Sequence, residues 1–127
     1  MQVSAPIEVD DMELPSTYAH AIAQDLEAAR PDLIVSRMTK SLRPEKVFVD
    51  WSQNSPAKTT VAPYSLRARA EPTVSTPLSW DEVASGRELR FTAAQVLDRV
   101  ADRGDLFAAV LDDRLRRRVT KAMAQRK

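Results

Sequence analysis

The chain has 127 residues, 43% apolar and 29% charged, with a formal charge of +1. That is the length of one domain or part of one, with the composition of an ordinary globular protein. No apolar run approaches a membrane span, no basic-then-apolar leader opens the chain and no cysteine occurs, which points to a cytoplasmic protein without membrane contact, disulfides or thiolate chemistry.

Charge is unevenly spread: residues 1–32 carry seven acids and one base, and residues 33–127 carry eighteen bases and eleven acids. A surface facing nucleotide or nucleic acid is therefore expected in the second stretch, although the same excess also suits plain solvated helix surface.

Residues 1–9, MQVSAPIEV, alternate loosely around Pro6, which predicts a short strand that leaves its sheet there. The acidic stretch 10–14 reads as a solvated connector that favours a following helix N-terminus. Pro15 and Ser16 open a helix to about Arg30, capped by Ser16 or Thr17, with Tyr18, Ile22, Ala23, Leu26 and Ala29 on its apolar stripe and Pro31 as its stop. The single histidine, His20, falls away from most of that stripe and reads as structural, exposed or half-buried. Leu33-Ile34-Val35 is a short strand or a loop edge.

Residues 37–69 hold seven lysines or arginines (Arg37, Lys40, Arg43, Lys46, Lys58, Arg67 and Arg69) against only Glu45 and Asp50. Residues 37–45 read as a loop entering a strand over 46–51, in which Val47-Phe48-Val49 delivers Asp50 at its end. SQNSPA has the composition of a hairpin turn, so a second strand over 58–62 is expected to run back beside the first and place Asp50 near Lys58. Two roles stay open for Asp50: a turn cap or ion-pair partner, or a metal ligand. A single carboxylate does not define a metal site. Trp51 points away from Asp50 in a regular strand and suits either core packing or stacking on a base, as does Tyr64.

Residues 67–78, with Pro72 and Pro77, read as an ordered extended segment. Ser79-Trp80-Asp81-Glu82 and Thr92-Ala93-Ala94-Gln95 are capping boxes, the first opening a short helix that ends before Gly86 and the second a helix with Val96, Leu97 and Val100 inward and Gly104 past its end. A last helix from Asp105 carries Leu106, Val110 and Leu115 and a basic run of Arg114, Arg116, Arg117, Arg118, Lys121, Arg126 and Lys127, suited to DNA phosphate or to a solvated helix end. With only Gly86 and Gly104, glycine-rich phosphate loops are excluded. Alternating strands and capped amphipathic helices together predict an α+β fold of three or four strands with helices packed on them.

VFVDWSQN, then KTTVAPYSLRAR, then PTVSTPLSWDEV resemble the C-terminal half of the polymerase domain of bacterial ligase D, a member of the archaeo-eukaryotic primase superfamily that serves in non-homologous end joining. The likeness runs from about Met1 to the helix beginning near Thr92 and fades in the basic tail. It implies a primase-like α+β fold with a small mixed or antiparallel sheet, with 1–104 as the C-terminal part of a primase-polymerase domain and 105–127 as a basic C-terminal helix. Asp50 stands where the family has the third of three catalytic carboxylates, which hold Mn²⁺ or Mg²⁺. Arg43, Gln53 and Arg67 match residues that contact the phosphates of an incoming nucleoside triphosphate, and Lys40, Lys58 and Arg69 line the same basic wall. Arginine suits the role because its planar fork donates paired hydrogen bonds to phosphate and stays charged.

DNA ends, a ligase domain and the end-binding protein Ku are the partners that the resemblance implies. The family's Asp-x-Asp pair and Ser-x-His-type motif have no match in this sequence, which therefore reads as half an active site, inactive alone. A non-catalytic nucleotide- or DNA-binding module, or a subunit completing a separately encoded N-terminal half, is the alternative.

Overall fold

The computed structural model describes residues 1–125 and divides into two compact units. One, Ile7–Thr60 with Arg117–Lys127, is built on helix α1 (Leu14–Ala29); the other, Met1–Pro6 with Val61–Arg116, is built on helix α3 (Ala93–Arg103). The fold is α+β, as the sequence predicts, but among the described residues its strands form three separate two-stranded ladders. Among the described residues no helix is long and apolar enough to cross a membrane.

In the α1 unit, β1 (Ile7–Glu8) pairs in parallel with β6 (Arg117–Arg118), and β2 (Ile34–Val35) pairs in parallel with β3 (Val47–Phe48). The expected strand over residues 1–9 is confined to the two residues after Pro6, because proline has no N–H to give a ladder. Helix α1 starts at Leu14 with Pro15 in its first turn, where a missing N–H costs nothing, and neither Ser16 nor Thr17 caps it. Leu14, Val119 and Ala124 form the small core, with Ile7, Val9 and Tyr18 packed on it.

The apolar stripe expected on α1 is corrected by the structure. Ala23 is fully buried, yet Ile22 and Leu26 are 41% and 42% exposed. Two faces are in use instead: Leu14, Tyr18 and Ala21 lie at helical spacing toward the core and α5 (Lys121–Ala124), while His20, Ala23 and Glu27 lie against the loops that follow β2 and β3. The second face is partly polar, so apolar spacing alone selects the wrong residues.

The predicted hairpin after Asp50 is absent. Residues Trp51–Asn54 form a 3₁₀ turn, no strand follows over 58–62, and β3 pairs with β2 instead. Asp50 accepts a bond from the N–H of Ser52, and that bond starts the turn.

In the α3 unit, β4 (Leu66–Arg67) and β5 (Thr73–Val74) form an antiparallel ladder where an extended segment was expected. Both capping boxes form: Ser79 with Glu82 opens α2 (Trp80–Ala84), and Thr92 with Gln95 opens α3. Gly104, at φ 71°, closes α3 in a conformation that glycine adopts without strain. Val96 is buried, but Leu97 and Val100, both expected inward, are 73% and 39% exposed, and half-buried Arg99 turns to Glu82 instead. Glu82 is the hub of this unit: its carboxylate accepts from Arg99 at 2.6 and 2.9 Å, from Arg103 at 3.1 Å and from the Ser79 N–H at 2.9 Å.

The single basic helix expected over 105–127 does not form. The segment is divided into α4 (Ala108–Leu111), a 3₁₀ turn at Asp113–Leu115, β6 and α5. Asp112 caps the 3₁₀ turn through the Arg114 N–H, and the pairing of β6 with β1 takes Arg117 and Arg118 out of any helix. Arg114, Arg116 and Arg118 are ion-paired to Asp112, Asp113 and Asp10. Arg126 and Lys127 lie outside the described residues.

Candidate functional site

The geometry at Asp50 follows from where β3 ends. The ladder continues one bond past Phe48, with the Val49 N–H on the Val35 carbonyl at 3.0 Å, and then the chain turns. One carboxylate oxygen of Asp50 accepts from the Ser52 N–H at 3.2 Å and the Ser52 hydroxyl at 2.7 Å, and the other from the Gln53 amide at 3.3 Å. Ser52 is buried, and its hydroxyl accepts in turn from the Lys58 ammonium at 2.6 Å. Lys58 thus reaches Asp50 through Ser52, although the strand meant to bring it there is absent.

These donors hold the Asp50 carboxyl below its ordinary value. The Ser52 hydroxyl is the largest cause, partial burial works against it, and the Gln53 amide, the Ser52 N–H and the Lys58 charge add to it. The outcome is an ionised carboxylate on an exposed residue at the tip of a strand.

The turn itself is fixed from α1. The Trp51 ring stacks on His20 with centroids 4.0 Å apart and planes 24° off parallel, and its indole N–H donates to the Ser36 carbonyl at 3.0 Å. Glu27 accepts from both the N–H and the hydroxyl of Ser36, which is buried. Trp51 and half-buried His20 therefore serve the scaffold.

Arg43 is half-buried. Its guanidinium lies 3.9 Å over the Phe48 ring and donates to the Met38 carbonyl, while its Nε is buried and has no partner among the described residues. Asp50, Ser52, Gln53 and Lys58 thus form one hydrogen-bonded group, and Arg43, which precedes β3, lays its guanidinium over Phe48 of that strand. Arg67 belongs to the α3 unit, half-buried on β4 opposite Thr73, and Arg69 is exposed beyond it. Lys40 is exposed at the start of the 3₁₀ turn Lys40–Leu42. Among the described residues no three His, Cys, Asp or Glu side chains are grouped to hold a metal ion.

Sequence reasoning missed Ser52 and the Glu27–Ser36 pair. Ser52 had a usable signal, since an Asp followed two residues on by Ser is the pattern of a side chain bonding forward to the backbone. The Glu27–Ser36 pair had none, because nothing local links a helix carboxylate to a residue nine positions on.

The mixed α/β architecture matches that of a polymerase domain of known structure. Residues 1–107 match the family model described as the LigD primase-polymerase domain, and the chain belongs to that family. It is 57% identical over 95 residues to the multifunctional non-homologous end joining protein LigD of Mycolicibacterium smegmatis, a match covering 73% of this chain and 12% of that protein. It is 33% identical over 91 residues to the bifunctional non-homologous end joining protein LigD of Bacillus subtilis, covering 71% of this chain and 15% of that protein. Among solved structures, the polymerase domain from Mycobacterium tuberculosis ligase D in complex with DNA is similar at a TM-score of 0.78 and 48% identity, over 81% of this chain and 36% of that one. The chain thus spans between about an eighth and a seventh of the length of these two curated relatives.

Proposed function

We propose that this chain forms part of the nucleotide- and metal-binding side of a primase-polymerase used in non-homologous end-joining repair, with residues 1–104 as its share of the polymerase domain. The observation that carries the reading is the Asp50 carboxylate, kept ionised by Ser52, Gln53 and Lys58 at the end of β3. A Mg²⁺-type ion is commonly held by one or two carboxylates plus substrate phosphate oxygens, so the donor set here fits as one protein ligand of such an ion. Bound there, Mn²⁺ or Mg²⁺ would neutralise triphosphate charge.

The residues of this chain then divide the work. Asp50 offers carboxylate oxygens, and Gln53 stands beside it with an amide that reaches phosphate as readily as carboxylate. The partnerless buried Nε of Arg43 fits a phosphate oxygen as acceptor, since a buried guanidinium N–H without a bond is costly. Arg67, on β4 of the α3 unit, is assigned to nucleotide phosphate by the family resemblance alone. DNA ends are the proposed substrate, supported by the DNA in the M. tuberculosis structure, with a ligase domain and Ku as further partners. No Asp-x-Asp pair occurs in the sequence, so the remaining metal ligands are assigned to another part of the polymerase.

Calorimetric titration of a nucleoside triphosphate with Mn²⁺ tests the reading. Arg67→Ala is expected to weaken binding by about ten-fold or more, the scale of a lost charge-assisted hydrogen bond. Equal affinity in wild type and variant, or no binding by wild type, would overturn it.

A further inference from the structure

Among the described residues two that are not glycine hold a positive φ, Glu45 at 59° and Tyr64 at 63°. Each stands third in a four-residue turn whose second residue is proline. The turns are closed by the Lys46 N–H on the Arg43 carbonyl at 2.9 Å and by the Ser65 N–H on the Ala62 carbonyl at 3.3 Å. Glycine is the ordinary occupant of that third place, because a Cβ crowds the backbone there. Each turn also adjoins an arginine assigned to nucleotide phosphate: Arg43 opens the first, and Arg67 lies two residues past the second. Left-handed backbone under a bulky side chain persists only where surrounding contacts over-determine it, and at Tyr64 those contacts are plain.

Tyr64 is half-buried. Its hydroxyl donates to a carboxylate oxygen of Asp105 at 2.6 Å, 41 residues on, and the same oxygen accepts from the Phe107 N–H at 2.8 Å. Asp105 directly follows Gly104, which closes α3, so the phenol ties the turn to the end of that helix. The phenol is also the chief cause that draws the Asp105 carboxyl below its ordinary value, and a bond to an ionised acceptor is a strong one. On the backbone, the Tyr64 N–H donates to the Ser75 carbonyl at 2.7 Å and the Ser75 N–H to the Ser65 carbonyl at 2.9 Å. These bonds lead into the ladder in which Leu66 faces Val74 and Arg67 faces Thr73. A ladder of two residues has little of its own to fix its register, and a slip of one residue turns every side chain to the opposite face. All of these groups lie within the α3 unit.

We propose that Tyr64 is a positioning residue for nucleotide binding: its bond to Asp105 holds the left-handed turn that sets the register of β4, and with it the face on which Arg67 is presented. Glycine would make the same turn without strain and leave β4 untied. The role rests on the assignment of Arg67 to nucleotide phosphate.

The test is calorimetric titration of a nucleoside triphosphate with Mn²⁺ into the full chain, run as a double-mutant cycle of Tyr64→Phe and Arg67→Ala. Tyr64→Phe keeps the ring and loses only the hydroxyl; binding is expected to weaken by about three-fold or more, the scale of one hydrogen bond. Added to Arg67→Ala, it is expected to cost nothing further. Asp105→Asn keeps an oxygen acceptor and is expected to bind more tightly than Asp105→Ala, which should match Tyr64→Phe. Hydrogen exchange at the Ser75 N–H is expected to quicken in Tyr64→Phe, while the Val96 N–H, bonded to the Thr92 carbonyl in α3, keeps its protection. That contrast separates a loosened ladder from an unfolded unit. Tyr64→Phe binding as wild type does, an equal loss with and without Arg67, or unchanged exchange at Ser75 would each overturn the positioning role alone. Absence of binding by wild type overturns the nucleotide assignment itself, and the role with it.

Discussion

Ser52 governs the state of Asp50. It offers the carboxylate both a hydroxyl and an N–H, and it passes on the charge of Lys58 without letting the ammonium touch Asp50. Ser52→Ala keeps the N–H and removes the hydroxyl, so the Asp50 pKa is expected to rise toward its ordinary 3.8, read by NMR titration of the side-chain carboxyl carbon. The sign follows from the depressed value: the stability that Asp50 contributes is present above 3.8 and fades as pH falls through the folded-state pKa, and Ser52→Ala should narrow that acid-side loss. An unmoved titration would assign the effect to Gln53 and the backbone instead. Asp50 was legible in the sequence because a strand-end acid in a basic stretch stands out. Ser52 was not singled out, since a serine in a turn carries no charge or hydrophobicity to mark it.

Helices with a local start signal were read well from sequence, and the ladders were not. A capping box is complete within four residues, so SWDE and TAAQ announce α2 and α3 without help from the rest of the chain. Two-residue ladders such as β2 with β3 depend on a partner elsewhere in sequence, and periodicity over two residues carries no information. Glu82 joins the two cases. It completes the α2 box, as its position predicts, and also binds Arg99, which itself lies 4.4 Å over the Phe91 ring, and Arg103. The Arg99 hydrogen bond chiefly, with the Ser79 N–H and the nearby guanidinium charges, lowers the Glu82 pKa to about 2. Its contribution to stability is therefore present above 4.5 and lost between 4.5 and about 2 as the carboxylate protonates. Glu82→Gln keeps an acceptor for the Ser79 N–H and loses the charge; Glu82→Ala loses both. Urea denaturation near neutral pH should find Glu82→Ala destabilised by about 3 kcal/mol and Glu82→Gln by about 1 kcal/mol less than that. Two variants of equal stability would mean that the box contributes nothing beyond the ion pairs.

For the molecule as a whole, the proposed function amounts to binding without turnover. The basic C-terminal run looked in sequence like a DNA-binding arm or a solvated helix, yet Arg114, Arg116 and Arg118 are paired to acids of this chain. Exposed pairs of this kind are worth little energetically, but each ties a guanidinium to a carboxylate and reduces the net field that reaches phosphate. Chemistry asks for more than cationic walls. In-line nucleotidyl transfer places two metal ions on the reacting phosphate, and the described residues group no three metal-binding side chains around Asp50. Under the proposed function, Asp50 with Arg43 would help to hold a metal-triphosphate, and a lone carboxylate would not activate a 3′-hydroxyl. Primer extension with Mn²⁺, template and nucleotide by the isolated chain is expected to stay at background, while the same protein titrates the nucleotide. Robust synthesis that disappears in Asp50→Asn would contradict this division, because it would require a second set of carboxylates that neither the sequence motifs nor the geometry around Asp50 supply.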